Sequence, residues 1–204
     1  MSEQLIFVRH GALPSACANS FVGTHEIDLS EEGRAEASAV GRWLSRQKYD
    51  RVFSGTLLRV RHTREIASQS DLRLREFVAD DRLNELDFGD WSLLKFDLLQ
   101  QRYGTSFEQW NMGMADFTFP NGENIGHFIS RTRGVMRDLT ACDAECAVVF
   151  SHGGVLMSLI ADAVGLERKD VFRIWLERGG VALIRRAAGG SWRLTSMFRP
   201  ADFE

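Results

Sequence analysis

Leu5-Ile6-Phe7-Val8-Arg9-His10-Gly11 is the stretch that decides the fold. Four consecutive apolar residues read as a buried strand, and the run stops abruptly on a cation, an imidazole and a glycine. Much later Ala147-Val148-Val149-Phe150 stops in the same way on Ser151-His152-Gly153-Gly154. Each phrase delivers a histidine at the carboxyl end of a strand and then turns on glycine. In open α/β sheets that edge is where ligands bind. Polar groups at a buried strand end cost energy unless something pairs with them. An arginine beside one histidine points to an anionic substrate and to an imidazole that takes part in chemistry.

Outward from these two phrases, strand and helix alternate. After a loop from Gly11 to Asp28, Ser30 has the character of an N-cap, with Gly33 behind it, for a helix through Ala35, Ala39, Val40, Trp43 and Leu44. Arg51 to Ser54 is a second strand feeding a helix that starts near Leu57 and runs through Arg59, Thr63 and Ile66. Leu74 to Val78 reads as a third strand, Glu123 to Thr140 as a long helix, and Val155 to Val164 as the helix after the second histidine strand. Val181 to Arg186 and Trp192 to Met197 flank Gly189-Gly190-Ser191, a hairpin signal. The pattern predicts an α/β fold with a mostly parallel central sheet, helices on both faces and one antiparallel edge. Residues 93–122 break the rhythm and read as a small helical cap inserted over the carboxyl edge, closed by Pro120-Asn121-Gly122. Its aromatics (Tyr103, Phe107, Trp110, Phe117, Phe119) either pack the cap onto the domain or line a pocket.

Composition sets the outer limits. A chain of 204 residues suffices for one well-buried domain spanning 1–204. With 25 basic and 28 acidic residues it lacks the basic excess of a nucleic-acid binder. Met1-Ser2-Glu3-Gln4 has no basic start of a signal peptide. No apolar stretch approaches the roughly 18 residues that span a bilayer. Cys17, Cys142 and Cys146 are odd in number and lack zinc-ligand spacing, and His25, His62 and His127 form no ligand-spaced cluster. These features predict a soluble, reduced, cytoplasmic protein whose partner is neither nucleic acid nor membrane. A homodimer is compatible with them.

A nucleophilic histidine needs a neutral ring, a fixed tautomer and a nearby electrophile. His10 fits, because Arg9 attracts a phosphate and its positive charge disfavours the imidazolium form. In Ser54-Gly55-Thr56-Leu57-Leu58-Arg59 a strand ends and Arg59 falls in the first turn of the next helix, where amides and a guanidinium together cradle an oxyanion. His152 would lie across the same pocket and bind phosphoryl oxygens. Glu85, in the loop Leu83-Asn84-Glu85-Leu86-Asp87-Phe88-Gly89, is the candidate acid that protonates a leaving alkoxide and then activates water. Gly153 and Gly23 join Arg9, Arg59 and His152 as phosphate or substrate contacts. Taken singly, each of these residues has an ordinary structural reading; their agreement on one sheet edge favours a site.

The chain resembles the histidine phosphatase superfamily, also called phosphoglycerate mutase-like. The resemblance rests on Val8-Arg9-His10-Gly11, on Ser54 to Arg59 with Thr63, on Asn84-Glu85 with Phe88-Gly89-Asp90-Trp91, on Pro120-Asn121-Gly122-Glu123 and on Ser151-His152-Gly153-Gly154. These blocks occur in the family's order and cover most of the chain. The resemblance implies a phosphorylated His10, a phosphate pocket of Arg9, Arg59 and His152, Glu85 as proton donor, and no metal. Members commonly carry Glu-Thr after Arg-His-Gly and an asparagine three residues on, where this chain has Ala12, Leu13 and Ala16. Ser15, Asn19 and Thr24 are the candidates to replace that asparagine, and the common Trp-Glu-Gly is here Trp91-Ser92-Leu93.

Within the superfamily, mutases carry a basic stretch after the acid, whereas this chain has Leu86-Asp87-Phe88-Gly89. That run, the chain's size and the Phe21-Val22-Gly23 loop look most like the α-ribazole phosphatase branch and the broad phosphatases around it. The resemblance therefore implies a phosphomonoesterase acting through a phosphohistidine. Mutase-type phosphoryl transfer and a non-catalytic phosphate-binding module are the alternatives. A serine hydrolase is disfavoured, since neither Ser54 nor Ser151 stands in a Gly-x-Ser-x-Gly elbow.

Overall fold

A computed structural model describes residues 2–111 and 116–203, without the side chains of residues 111, 168, 169 and 172. The first strand, β1 (Gln4–Arg9), carries the apolar run at its centre. Leu5, Ile6, Phe7 and Val8 are all fully buried. The reason is visible in how they divide: Leu5 and Phe7 pack into one core and Ile6 and Val8 into another. Successive strand residues point to opposite faces, so a run without alternation means that both faces are covered.

The remaining strands are β2 (Arg51–Ser54), β3 (Val78–Ala79), β4 (Cys146–Ser151), β5 (Val181–Arg186) and β6 (Trp192–Phe198). They form one six-stranded sheet in the order β3-β2-β4-β1-β5-β6. β3, β2, β4 and β1 run parallel. β5 runs antiparallel to both β1 and β6, so the antiparallel edge predicted from the glycine hairpin is two strands wide. One face carries α1 (Glu31–Leu44) and α2 (Leu58–Ala67), through Val40, Leu44 and Val60. The other carries α4 (Ile125–Ala141) and α5 (Gly153–Val164), through Phe128, Val135, Leu156 and Ile160. Between them in sequence lies α3 (Phe96–Asn111), kinked at Gly104.

Ser30 caps α1 as its position predicts, accepting the Gly33 N–H at 3.1 Å. One expected element differs. Leu74 does not enter a strand; residues Leu72–Arg75 form a 3-10 turn that buries Leu74, and pairing with β2 is confined to Val78 and Ala79. A buried leucine can be supplied from a turn as well as from a strand, and a short apolar run does not distinguish the two. Residues 112–115 of the expected cap lie outside the described residues. Among the described residues no helix is long and apolar enough to cross a membrane.

Candidate active site

Three parallel strands end side by side in the order β2, β4, β1. The β1–β4 register pairs Arg9 with Ser151, so the next residues, His10 and His152, are brought face to face. Their ring centroids are 5.2 Å apart. The His10 N–H donates to the Ser151 carbonyl at 3.1 Å, and the Gly55 N–H beyond β2 donates to the Phe150 carbonyl at 3.0 Å. The turn after Gly55 leads into α2 and sets Arg59 in its first turn.

The His10 imidazole has one defined state. Nδ1 lies 2.9 Å from the Gly11 carbonyl oxygen. A carbonyl can only accept, so Nδ1 bears the proton and Nε2 keeps its lone pair. Burial, then Arg59, then Arg9 hold the His10 pKa well below the ordinary histidine value. The ring is therefore neutral at physiological pH and available as a nucleophile. His152 is fully enclosed and, unlike His10, presents no surface to the cleft. Burial, then Arg59, then His10 push its pKa down as well. Neither of its ring nitrogens has a hydrogen-bond partner, an arrangement that costs about 1–3 kcal/mol for each buried polar atom.

Two arginines frame His10. Arg9 Nη1 donates to the Leu176 carbonyl at 2.6 Å, and its guanidinium stands 5.8 Å from the Trp175 ring centroid. Arg59 is 1% exposed and donates to the His25 carbonyl at 2.8 Å and the Gly23 carbonyl at 2.6 Å. Burial brings each pKa down to about 10, with Glu85 opposing the fall, so both stay charged at neutral pH. The Nε atoms of both are buried and unpartnered. Together with His152 they leave a set of unpaired polar atoms around His10, as a site for an oxygen-rich anion requires.

Glu85 closes the group. Its Oε1 accepts the Leu86 N–H at 3.0 Å and its Oε2 accepts the Gly154 N–H at 3.1 Å, at the amino end of α5. The paired glycines after His152 have a physical reason. A Cβ on Gly153 would stand 2.8 Å from the Arg9 guanidinium carbon, and one on Gly154 would stand 2.6 Å from Glu85 Oε1. Gly153 thus lies on the cleft wall chiefly to make room for Arg9, and Gly23 serves through its carbonyl, which holds Arg59.

These residues border an open cleft of about 1370 Å³. Its lining is charged at Arg9, His10, Arg59 and Glu85 and apolar at Phe21, Leu86, Phe88, Phe96 and Trp110. Of the aromatics in residues 93–122, Phe96 and Trp110 line the cleft, whereas Tyr103, Phe107, Phe117 and Phe119 pack around the fully buried Trp91. Of the three residues expected to stand in for the missing asparagine, Asn19 lines the cleft, and Ser15 and Thr24 do not. Among the described residues no group of three or more His, Cys, Asp and Glu side chains is gathered as for a metal ion.

Two residues beside the site, Arg131 and Arg178, carry no local sequence signal. Arg131 donates to the carbonyls of Arg82 at 2.6 Å, Asn84 at 2.8 Å and Glu85 at 3.3 Å, and Glu123 pairs with it at 2.7 Å. That pairing explains the glutamate of Pro120-Asn121-Gly122-Glu123. Thr63 accepts the Gly11 N–H at 3.1 Å and donates to the Arg59 carbonyl at 2.7 Å, joining the loop after His10 to α2. Arg178, which no motif singles out, lies on the cleft wall near Arg9 and Arg59.

The model of the histidine phosphatase superfamily (branch 1) matches residues 5–199. A 2,3-bisphosphoglycerate-dependent phosphoglycerate mutase of Nitrobacter winogradskyi is 32% identical over 195 residues, covering 91% of this chain and 93% of that protein. Phosphoserine phosphatase 1 of Hydrogenobacter thermophilus is 27% identical, with 84% and 80% covered. Among solved structures, the α-ribazole phosphatase of Shigella flexneri superposes with a TM-score of 0.85 at 23% identity, covering 97% and 96% of the two chains. With the ordered motifs, the parallel sheet and the paired histidines at its edge, these likenesses agree: the chain belongs to the histidine phosphatase superfamily, whose members include phosphatases and phosphoglycerate mutases.

Proposed function

We propose that this protein is a phosphomonoesterase that hydrolyses a small-molecule phosphate ester through a phosphohistidine on His10. The observation that carries the reading is the His10 ring: neutral, with Nδ1 committed to a carbonyl, and flanked by two charged arginines. Arg9 and Arg59 draw the phosphoryl group to the cleft, while His152, enclosed beside His10, keeps its unpaired ring nitrogens close to the reacting ring without lining the cleft. His10 Nε2 forms a bond to phosphorus as the ester P–O bond breaks, and protonated Glu85 gives its proton to the leaving alkoxide. Water then attacks the phosphohistidine, Glu85 takes its proton, and inorganic phosphate leaves with His10 restored. Every step is assigned to the chain's own side chains.

Hydrolysis is favoured over mutase chemistry by the residues directly after the acid. Leu86 and Phe88 are buried apolar residues on the cleft wall, ill suited to the several charges of a doubly phosphorylated acid. They suit instead an organic leaving group set against Phe21, Phe96 and Trp110, with α3 acting as a cap. α-Ribazole phosphate is one member of that class. The 32% identity to a phosphoglycerate mutase keeps mutase-type transfer as the second reading. The three free cysteines suit a reducing cytoplasm.

Rapid-quench labelling with a radiolabelled phosphoester tests the reading. An acid-labile, base-stable adduct is expected, with both adduct and turnover lost in His10→Ala. Turnover with the adduct persisting in that variant overturns the assignment, transfer to phosphoglycerate in place of phosphate release supports the mutase, and binding without either marks a phosphate-binding module.

A further inference from the structure

Arg178 lies on the cleft wall but takes no part in the chemistry above. The loop that carries it, from Trp175 to Gly180, frames the nucleophile. Leu176 takes a hydrogen bond from Arg9 Nη1 at 2.6 Å, the Gly179 N–H donates to the His10 carbonyl at 2.9 Å, and the Gly180 carbonyl accepts the Arg9 N–H at 3.0 Å. Arg178 is therefore anchored on both sides to the segment that bears His10. Its side chain is half-exposed, and among the described residues no hydrogen bond or ion pair takes up its guanidinium. The acid facing it, Glu36, already accepts the Ala12 N–H at 2.6 Å.

The field of Arg178 opposes the charges of Arg9 and Arg59 and reaches His10 more weakly than theirs do. Arg178 lies partly exposed on the cleft lining, whereas Arg59 is 1% exposed. A third cation beside two buried ones is self-repelling unless an anion joins them. The phosphoryl group on His10 is already served by Arg9 and Arg59. What remains for Arg178 is a negative group farther out on the same ligand.

We propose that Arg178 is a second anion subsite, which binds a carboxylate or second phosphate on the leaving group of the substrate. The inference rests on the phosphomonoesterase reading and narrows it: the preferred ester has a leaving group with its own negative charge, beyond an uncharged nucleoside-like one. A single guanidinium meets one such group, which is fewer than a doubly phosphorylated acid presents.

The test compares phenyl phosphate with 3-carboxyphenyl phosphate as substrates of the wild type, Arg178→Ala and Arg178→Lys. Arg178→Ala is expected to lower the ratio of kcat/KM for the carboxylated ester over the plain one by about tenfold, mainly through KM, with partial recovery in Arg178→Lys. Calorimetric titration with inorganic phosphate and with 3-phosphoglycerate supplies a readout independent of turnover, in which Arg178→Ala weakens the second ligand about tenfold relative to the first. An equal loss on both esters and both ligands overturns the inference and makes Arg178 a phosphoryl contact; an unchanged ratio overturns it outright. If no ester is hydrolysed but the binding ratio shifts, the subsite stands and the phosphatase reading falls.

Discussion

His10 and His152 stand 5.2 Å apart at the ends of neighbouring strands, yet their surroundings give them different capacities. His10 has a committed Nδ1 and a place on the cleft; His152 is sealed, with two nitrogens that bond to nothing in the fold. Glu85 differs again. Two amides hold its carboxylate at the amino end of α5, and the space it occupies exists because position 154 is glycine. If Glu85 is the proton donor, its importance depends on how badly the leaving group needs a proton. Glu85→Gln keeps the shape and removes the proton. It is expected to slow alkyl phosphate hydrolysis by about 100-fold or more and that of 4-nitrophenyl phosphate by less than about tenfold. Steady-state kcat across leaving groups of graded acidity checks this, and a uniform loss across the series removes Glu85 from that role.

At the scale of elements, α2 begins where the sequence provides no cap. Its N-cap position is Leu57, which has no side chain to offer, and the amides are satisfied from elsewhere. Asn84 Oδ1 accepts the N–H groups of Thr56 at 2.8 Å and Leu57 at 3.3 Å, and Glu26 accepts that of Leu58 at 2.6 Å. Asn84 therefore ties the acid's loop to the helix that presents Arg59. Asn84→Ala leaves those amides unpaired and is expected to cost about 1–2 kcal/mol, with a fall in kcat/KM as Arg59 loses its support. Urea unfolding and kinetics on the same variant measure both; a change in stability without one in kcat/KM would show that the tie is structural alone. This contact also marks where sequence reading ends. The strands β1 and β4 are legible because a buried parallel strand needs apolar residues on both faces, and Ser30 because a cap acts on its own helix. The third strand is not, because Leu74 meets the core from a turn. His10, Arg59, Glu85 and His152 announce themselves by motif, whereas Arg131, Asn84's capping and Arg178 arise only when distant loops meet.

For the whole molecule, the same burial that readies the site makes the fold sensitive to acid. His10 and His152 are held neutral in the native state, with pKa values well below 6.5, while in the unfolded chain each protonates near that value. As pH falls below about 6.5 the unfolded state therefore binds more protons than the native one, and stability declines by up to about 1.4 kcal/mol per pH unit for each histidine. Asp28, Asp71 and Asp80 carry lowered pKa values, so their contributions are present above the usual carboxylate range and lost only at lower pH. Glu36, raised by burial, works in the opposite sense, since its native form takes up a proton first as pH falls. The window from about pH 6.5 to 5 thus belongs mainly to the two imidazoles. Denaturant unfolding at steps between about pH 7.5 and 5 should show a plateau above 7 and that decline below it. His152→Asn, which cannot titrate, should remove about half of the slope whatever its effect on the plateau. A slope unchanged in this variant would mean that His152 takes up its proton over the same pH range in the folded and unfolded chain, and that burial beside Arg59 and His10 does not hold its ring neutral.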